Sequence, residues 1–176
     1  MRYRSLPLVA LALLATSGCA TAYEETGSEL GSAMLMDRSG NNVGSAMLYS
    51  EGDEVTVSVS LQGMPAGTHA VHLHTTGDCS ATDFTSAGGH LNPMGNEHGT
   101  LNPQGAHLGD LPNAEVSSAG VGTISTTLRG TRATVLTEIF DADGTALVVH
   151  EGADDYRSDP AGDAGSRVAC GVFSQS

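Results

Sequence analysis

The sequence predicts an all-β fold, a single antiparallel sandwich or flattened barrel, and three observations carry that expectation. About eight short segments alternate apolar with polar residues or form brief apolar runs between turn signals. The chain has 23 glycines and only 4% aromatic residues, a composition of short strands and turns. No stretch shows a convincing helical period, and the 176 residues suit one ordinary domain with its own core.

The first eighteen residues are expected to be a signal peptide and not structure. MRYR supplies positive charge, LPLVALALLA an apolar run too short to span a bilayer, and TSGC a small-residue cleavage site ending on Cys19. Ser17-Gly18-Cys19 resembles the lipobox of bacterial lipoproteins, in which the cysteine becomes the acylated N-terminus. Thr16 departs from the aliphatic residue usual there, so a lipid-modified Cys19 and plain secretion are both open. Residues 19 to 30 then read as an acidic, aperiodic tether, and 31 to 176 as the folded domain.

SAMLMD and VGSAMLYS flank the turn-rich RSGNN, so residues 32 to 49 are expected to form a β-hairpin. The near-repeat GSAML at 31 to 35 and 44 to 48 is too short for a repeat architecture. EVTVSVSL, 54 to 61, alternates with period two and predicts a strand with one buried face. GMPAGT turns the chain into HAVHLH. From Thr75 to about Asn113 periodicity stops, and so long a structureless loop inside a compact domain is usually functional. VGTISTTL, RATVLTEIF and TALVVHE are each expected to be strands, with DADG at 141 to 144 a hairpin turn between the last two. EGADDYRSDPAGDAGS is a second polar loop, and RVACGVF closes the chain as a short strand.

Charge and cysteine content narrow the function. There is no lysine, and seven arginines face 20 acidic residues, which argues against nucleic-acid binding. Removing residues 1–18 takes Arg2 and Arg4 and no acid, so the net charge moves from −13 to −15. With three cysteines in an exported chain one is left over. If Cys19 carries lipid, Cys79 and Cys170 remain for a disulfide; pairings of Cys19 with either would tie a flexible tail to the domain.

Six of the seven histidines lie between His69 and Asp110, in a segment rich in Gly, Asn, Pro and Thr. Such a loop has no core in which to bury imidazoles, so the crowding points to metal binding. His72 and His74 are two apart in an extended segment and leave the same face. His-x-His alone is weak, but His90, His98 and the i, i+3 pair His107 and Asp110 follow, and His150 ends an apolar run from which it can reach back. Three imidazoles with a carboxylate are a usual zinc set, and four imidazoles suit Cu(II). Those seven donors fill two four-coordinate sites only if one is shared, which a bridging imidazolate accomplishes.

HAVHLHTTGDCS, SAGGHLNP, NEHG, AHLGDLPN, LVVHEGADD and GSRVACGV resemble, in order and spacing, the successive signatures of the copper/zinc superoxide dismutase family. They cover residues 69 to 173, and GDCSATDF and DPAGDAGSRVACGV are similar to its bacterial periplasmic branch. The resemblance implies an eight-stranded antiparallel Greek-key sandwich with two long functional loops. It makes His72, His74, His90 and His150 copper ligands, and His90, His98, His107 and Asp110 zinc ligands, with His90 as the bridge. Asp154 becomes the carboxylate that holds the free nitrogens of His72 and His98. Cys79 and Cys170 become the disulfide, Arg167 the arginine that docks the substrate anion, and His69 a structural residue. The implied activity is disproportionation of superoxide to oxygen and hydrogen peroxide in the periplasm, on a membrane through Cys19 or free of it. Monomer and homodimer both remain open. A metal-storage or delivery protein is the rival reading, and it would need neither Arg167 nor a shared His90.

Overall fold

The computed structural model describes residues 27–176. The expected signal segment at 1–18 and Cys19 lie outside the described residues.

The chain runs β1 (Ser28–Asp37), β2 (Asn42–Glu51), β3 (Glu54–Leu61), β4 (Gly67–His69), β5 (Val71–His74), β6 (Ala114–Val116), β7 (Gly122–Thr127), α1 (Arg132–Ile139), β8 (Ala146–His150), β9 (Arg167–Val172) and β10 (Ser174–Gln175). The expected hairpin is present and longer at both ends, and β1 starts three residues before the expected start of the folded domain at residue 31. One curled antiparallel sheet runs β5-β8-β9-β1-β2-β3-β7, with β10 beside β1, and β4 pairs β6 in a small second sheet. The late strands β8 and β9 thus insert between β5 and β1, a Greek-key return. Alternation explains the closure: Val55, Val57, Val59 and Leu61 of β3 point into one core with Leu35, Ala46, Leu48, Leu73, Leu147 and Val149.

β5 and β8 are buried on both faces. Inward, Val71, Leu73, Leu147 and Val149 join the main core. On the other face, Ala146 and Val148 of β8 pack with Phe84, Ala87 and Cys170 under the long loop. His72, His74 and His150 share that outer face, because His72 pairs with Val148 and His74 with Ala146. The loops therefore roof over a row of histidines that an open sheet would leave in water.

One expected strand is a helix. RATVLTEIF is rich in β-branched residues, yet Arg132–Ile139 is α-helical, capped by Thr131, whose hydroxyl accepts the Thr134 N–H at 3.3 Å. Val135 and Ile139 are buried, and Leu136 and Phe140 pack partly against the same core, each pair at i, i+4. That spacing outweighs strand propensity. DADG is accordingly not a hairpin turn but the exit from α1 into β8, with Asp141 Oδ1 accepting from the N–H groups of Asp143 and Gly144 at 3.0 and 2.8 Å. β6 and β10, of three and two residues, are additions to the expected strand set.

Residues 75–113 hold one short 3-10 turn, Thr85–Ala87, and no other helix or strand. A disulfide between Cys79 and Cys170 fastens this loop to β9. Among the described residues no helix is long and apolar enough to cross a membrane.

Candidate metal centre

The free edge of β5 assembles the site. Leu73 N–H donates to Gly109 O at 2.9 Å, and Leu91 N–H to Leu73 O at 2.8 Å, so two loop segments lie along that edge as short strand-like pieces. They set His90 against His74 and Asp110 against His72. Gly109 permits the approach, since a Cβ there would collide with the Leu73 carbonyl. His150 comes from the end of β8, with its N–H on Ala70 O at 2.9 Å.

His72, His74, His90 and His150 are all buried, and their candidate ligand atoms lie within 4.8 Å of one another. On each ring one nitrogen is held by the protein. His72 Nε2–H donates to Asp154 Oδ2 at 2.9 Å, His74 Nδ1–H to Gly88 O at 2.9 Å, and His150 Nδ1–H to Gly165 O at 3.3 Å, while His90 Nδ1 lies 3.0 Å from Asp110 Oδ1. The remaining atoms, His72 Nδ1 and the Nε2 of His74, His90 and His150, are buried with no hydrogen-bond partner. An unsatisfied buried polar group costs about 1–3 kcal/mol, and four converging on one point make sense only as lone pairs for a cation. The residues present fit copper. Burial, helped by neighbouring imidazoles, drives the rings toward the neutral ligand form: His74 is lowered to about 2, His90 to about 4 and His150 to about 3.

His90, His98, His107 and Asp110 make a second buried group. Asp110 Oδ1 lies 3.0 Å from His90 Nδ1 and 3.1 Å from the Nδ1 atoms of His98 and His107, and His107 Nδ1 is 3.4 Å from His90 Nδ1. Three ring donors crowd one oxygen that has two lone pairs. Ligand atoms around tetrahedral zinc, at bonds of about 2.0–2.1 Å, stand roughly 3.3–3.4 Å apart, so this group fits zinc. Asp110 Oδ2 accepts the N–H groups of Gly99 and His107 at 2.9 and 3.0 Å, which keeps Oδ1 aimed inward. Burial opposes charge on both Asp110 and His98, but the bonds between them prevail. Asp110 is held well below the usual carboxylate range, and His98 is raised to about 9 by Asp110 and Asp154.

Asp154 spans the two groups. Its Oδ2 takes His72 Nε2–H and its Oδ1 takes His98 Nε2–H, each at 2.9 Å. Asn113 grips its backbone twice, donating from Nδ2 to Asp154 O and accepting the Asp154 N–H on Oδ1, both at 2.9 Å. Asn113 and Tyr156, whose hydroxyl accepts the Asn113 N–H at 2.8 Å, are positioning residues that the sequence reading did not single out. Asn113 stood inside the AHLGDLPN motif, which was its one available signal. Gly162 is a third: a Cβ there would strike Asp154 and His98.

Arg167, at the start of β9 opposite His150, donates Nη1 to Phe84 O at 2.7 Å and Nη2 to Gly88 O at 2.6 Å. The guanidinium is thereby fixed beside His74 by the loop that Cys79 anchors. His69 joins neither group. Its Nδ1 lies 2.8 Å from His150 O and its Nε2 2.9 Å from Pro65 O, a bracing position beneath the metal pocket.

Comparison with known proteins closes the identification. The family model for copper/zinc superoxide dismutase (SODC) matches residues 42–173. The chain belongs to the copper/zinc superoxide dismutase family. It is 42% identical over 126 residues to a Cu-Zn superoxide dismutase of Aquifex aeolicus, covering 68% of this chain and 71% of that one. Against a Cu-Zn superoxide dismutase of Caulobacter vibrioides it is 41% identical over 125 residues, with the same 68% and 71% covered. A superoxide dismutase-like protein of Bacillus subtilis superposes with a TM-score of 0.73 at 34% identity, over 82% of this chain and 99% of that one. The family fold and this chain agree in the curled antiparallel sheet. Where the two metal groups differ from a generic histidine cluster is the placement of His90 in both of them.

Proposed function

We propose that this superoxide dismutase holds copper on His72 Nδ1 and the Nε2 atoms of His74, His90 and His150, and zinc on the Nδ1 atoms of His90, His98 and His107 with Asp110 Oδ1. The observation that carries the reading is the set of four buried, unpartnered imidazole nitrogens converging on one point. His90, facing one group with each ring nitrogen, is the bridge. The bound metals would supply one-electron chemistry at copper, turning two superoxide anions and two protons into oxygen and hydrogen peroxide, with zinc as a redox-silent charge. Arg167 docks the anion, since a guanidinium is permanently charged and its planar fork suits a small oxyanion. His90 Nε2 is the atom placed to take up and return a proton beside it. Asp154 keeps His72 and His98 in the ligating tautomer.

The chain's leader and cysteines favour an exported enzyme that protects the cell envelope. Residues 1–18 serve as signal peptide, Cys19 as lipid anchor at the head of a short tether, and the Cys79–Cys170 disulfide suits the oxidising periplasm. Globomycin sensitivity or mass spectrometry of the N-terminus tests the anchor, and sedimentation tests monomer against homodimer.

The deciding experiment is superoxide decay catalysed by the copper- and zinc-loaded protein. Decay far faster than in buffer supports the reading; two tightly bound metals with decay at the buffer rate would leave metal storage or delivery in its place.

A further inference from the structure

The polar loop 151–166 brings Asp154 to the metal centre, and the turn that follows Asp154 is built by its own side chains. Asp155 Oδ1 accepts the N–H groups of Arg157 and Ser158, both at 2.8 Å, and its Oδ2 accepts the Ser158 hydroxyl. A short carboxylate that bonds the backbone two residues on is an ordinary turn former. The Ser158 carbonyl takes the N–H groups of Ala161 and Gly162 at 3.2 and 2.6 Å, and Gly162 O takes the Asp155 N–H at 3.0 Å. Residues 155–162 thus close on themselves, with Asp159 on the arc between Ser158 and its two donors.

Asp159 reaches the other loop. Its Oδ1 accepts the backbone N–H of His98 at 2.8 Å, a contact across 61 positions of sequence. His98 is fully buried, and its ring is already engaged at both nitrogens, Nε2 with Asp154 at 2.9 Å and Nδ1 with Asp110 at 3.1 Å. Three carboxylates therefore hold one residue, two on the ring and one on the main chain. The two loops are also fastened elsewhere: Leu101 N–H donates to Tyr156 O at 3.0 Å, and Asn113 grips the Asp154 backbone. With those bonds in place, the contribution of Asp159 falls on His98 itself. Without it a buried N–H loses its acceptor, and the backbone shifts toward water or another oxygen.

We propose that Asp159 is a positioning residue for zinc, fixing the His98 main chain so that Nδ1 meets the ion beside Asp110 Oδ1; the role rests on the zinc assignment made above. Asp154 sets the direction of the His98 ring but not the place of the Cα that carries it. Metal–ligand distances tolerate only about ±0.2 Å, so the peptide must be placed as well as the ring. Asp159 does this from the loop that also supplies Asp154, so one segment controls both ends of the ligand.

The test measures zinc and copper affinity by chelator competition in the parent protein and in Asp159→Ala, Asp159→Asn and Asp163→Asn. Asp163 is the charge control, exposed in the same loop at a φ of 52° that asparagine tolerates. Asp159→Ala should weaken zinc binding about 10- to 100-fold, and Asp159→Asn, whose amide oxygen still accepts the N–H, should restore most of it. Asp163→Asn should bind zinc like the parent. Copper affinity should fall far less in every variant, because His98 is not among the four imidazoles of the copper group. With Co(II) in place of zinc, the visible absorption should change in Asp159→Ala and return in Asp159→Asn. Parental zinc affinity in Asp159→Ala, no recovery in Asp159→Asn, or equal losses of zinc and copper overturns the role. A parent protein without Co(II) bands of tetrahedral intensity overturns the zinc assignment itself, and the role falls with it.

Discussion

His74 and Arg167 share one acceptor: the Gly88 carbonyl takes His74 Nδ1–H at 2.9 Å and Arg167 Nη2 at 2.6 Å. The His74 ring and the Arg167 guanidinium are thus referenced to the same atom, two residues before His90. Removing the guanidinium deletes a charge-assisted contact worth about 1.5–3 kcal/mol without touching a ligand. Arg167→Ala should lower kcat/KM roughly 10- to 100-fold while both metals stay bound. Metal analysis beside stopped-flow kinetics decides it. An unchanged rate would remove Arg167 from substrate docking.

Asp154 makes the complementary prediction. Asparagine can accept from one imidazole but turns a donor toward the other, so one of His72 and His98 loses its partner. Asp154→Asn should weaken retention of at least one metal about 10- to 100-fold, zinc if His98 loses its partner and copper if His72 does, as chelator competition would show. Loss of neither metal would mean that the carboxylate only braces the loop.

The metal-free protein should have a stability maximum in pH. His74, His90 and His150 have folded pKa values of about 2, 4 and 3 against 6.5 when unfolded, so their contribution is full above 6.5 and is lost as pH falls toward those values. Asp110 and Asp154, also depressed, act in the same direction at lower pH. His98, raised to about 9, acts oppositely: its contribution is present below 6.5 and disappears as pH rises through about 9. Urea unfolding across pH should therefore show stability declining on both sides of neutrality. Zinc must also displace the extra proton of His98, so loading zinc near pH 7 should release about one proton, and near pH 10 almost none. Equal release at both values would contradict the assignment.

The Cys79–Cys170 bond closes a loop spanning 91 positions, which in the chain-entropy account stabilises the fold by about 4–5 kcal/mol. It also fixes the loop whose Phe84 and Gly88 carbonyls hold Arg167. Cys79→Ser with Cys170→Ser should lower the unfolding free energy and, at temperatures where the fold survives, reduce kcat/KM further than metal content. Parallel losses of metal and rate would confine the bond to stability.

The two candidate ligand groups were legible because coordination chemistry demands particular side chains at particular spacings. His72 and His74 announce themselves by strand period, and Asp110 by its place after His107. The atoms that hold His74 and His150 were not legible, since Gly88 O and Gly165 O are backbone carbonyls that any residue would supply. β3 could be read to the residue from its alternating valines. Arg132–Ile139 could not, because Thr134, Val135, Thr137 and Ile139 carry strand propensity while the helix depends on tertiary burial of Val135 and Ile139. β6 and β10 are too short for any period to register.

Charge distribution sets the last expectation. The chain has no lysine, and its seven arginines are outnumbered by 20 acidic residues, so the overall field opposes an anion. Charges beyond about 8 Å are screened at physiological salt, which leaves the metals and the fixed Arg167 guanidinium to govern capture at short range. With long-range repulsion and short-range attraction partly offsetting, kcat/KM should change less than about threefold between roughly 10 and 150 mM ionic strength. Steep decline with salt would require a positive approach field that five described arginines, Arg38, Arg129, Arg132, Arg157 and Arg167, would have to generate against the acidic surface. In that case the focusing comes from the walls of the metal cleft, and substituting Arg167 should remove most of the salt dependence along with its share of the rate.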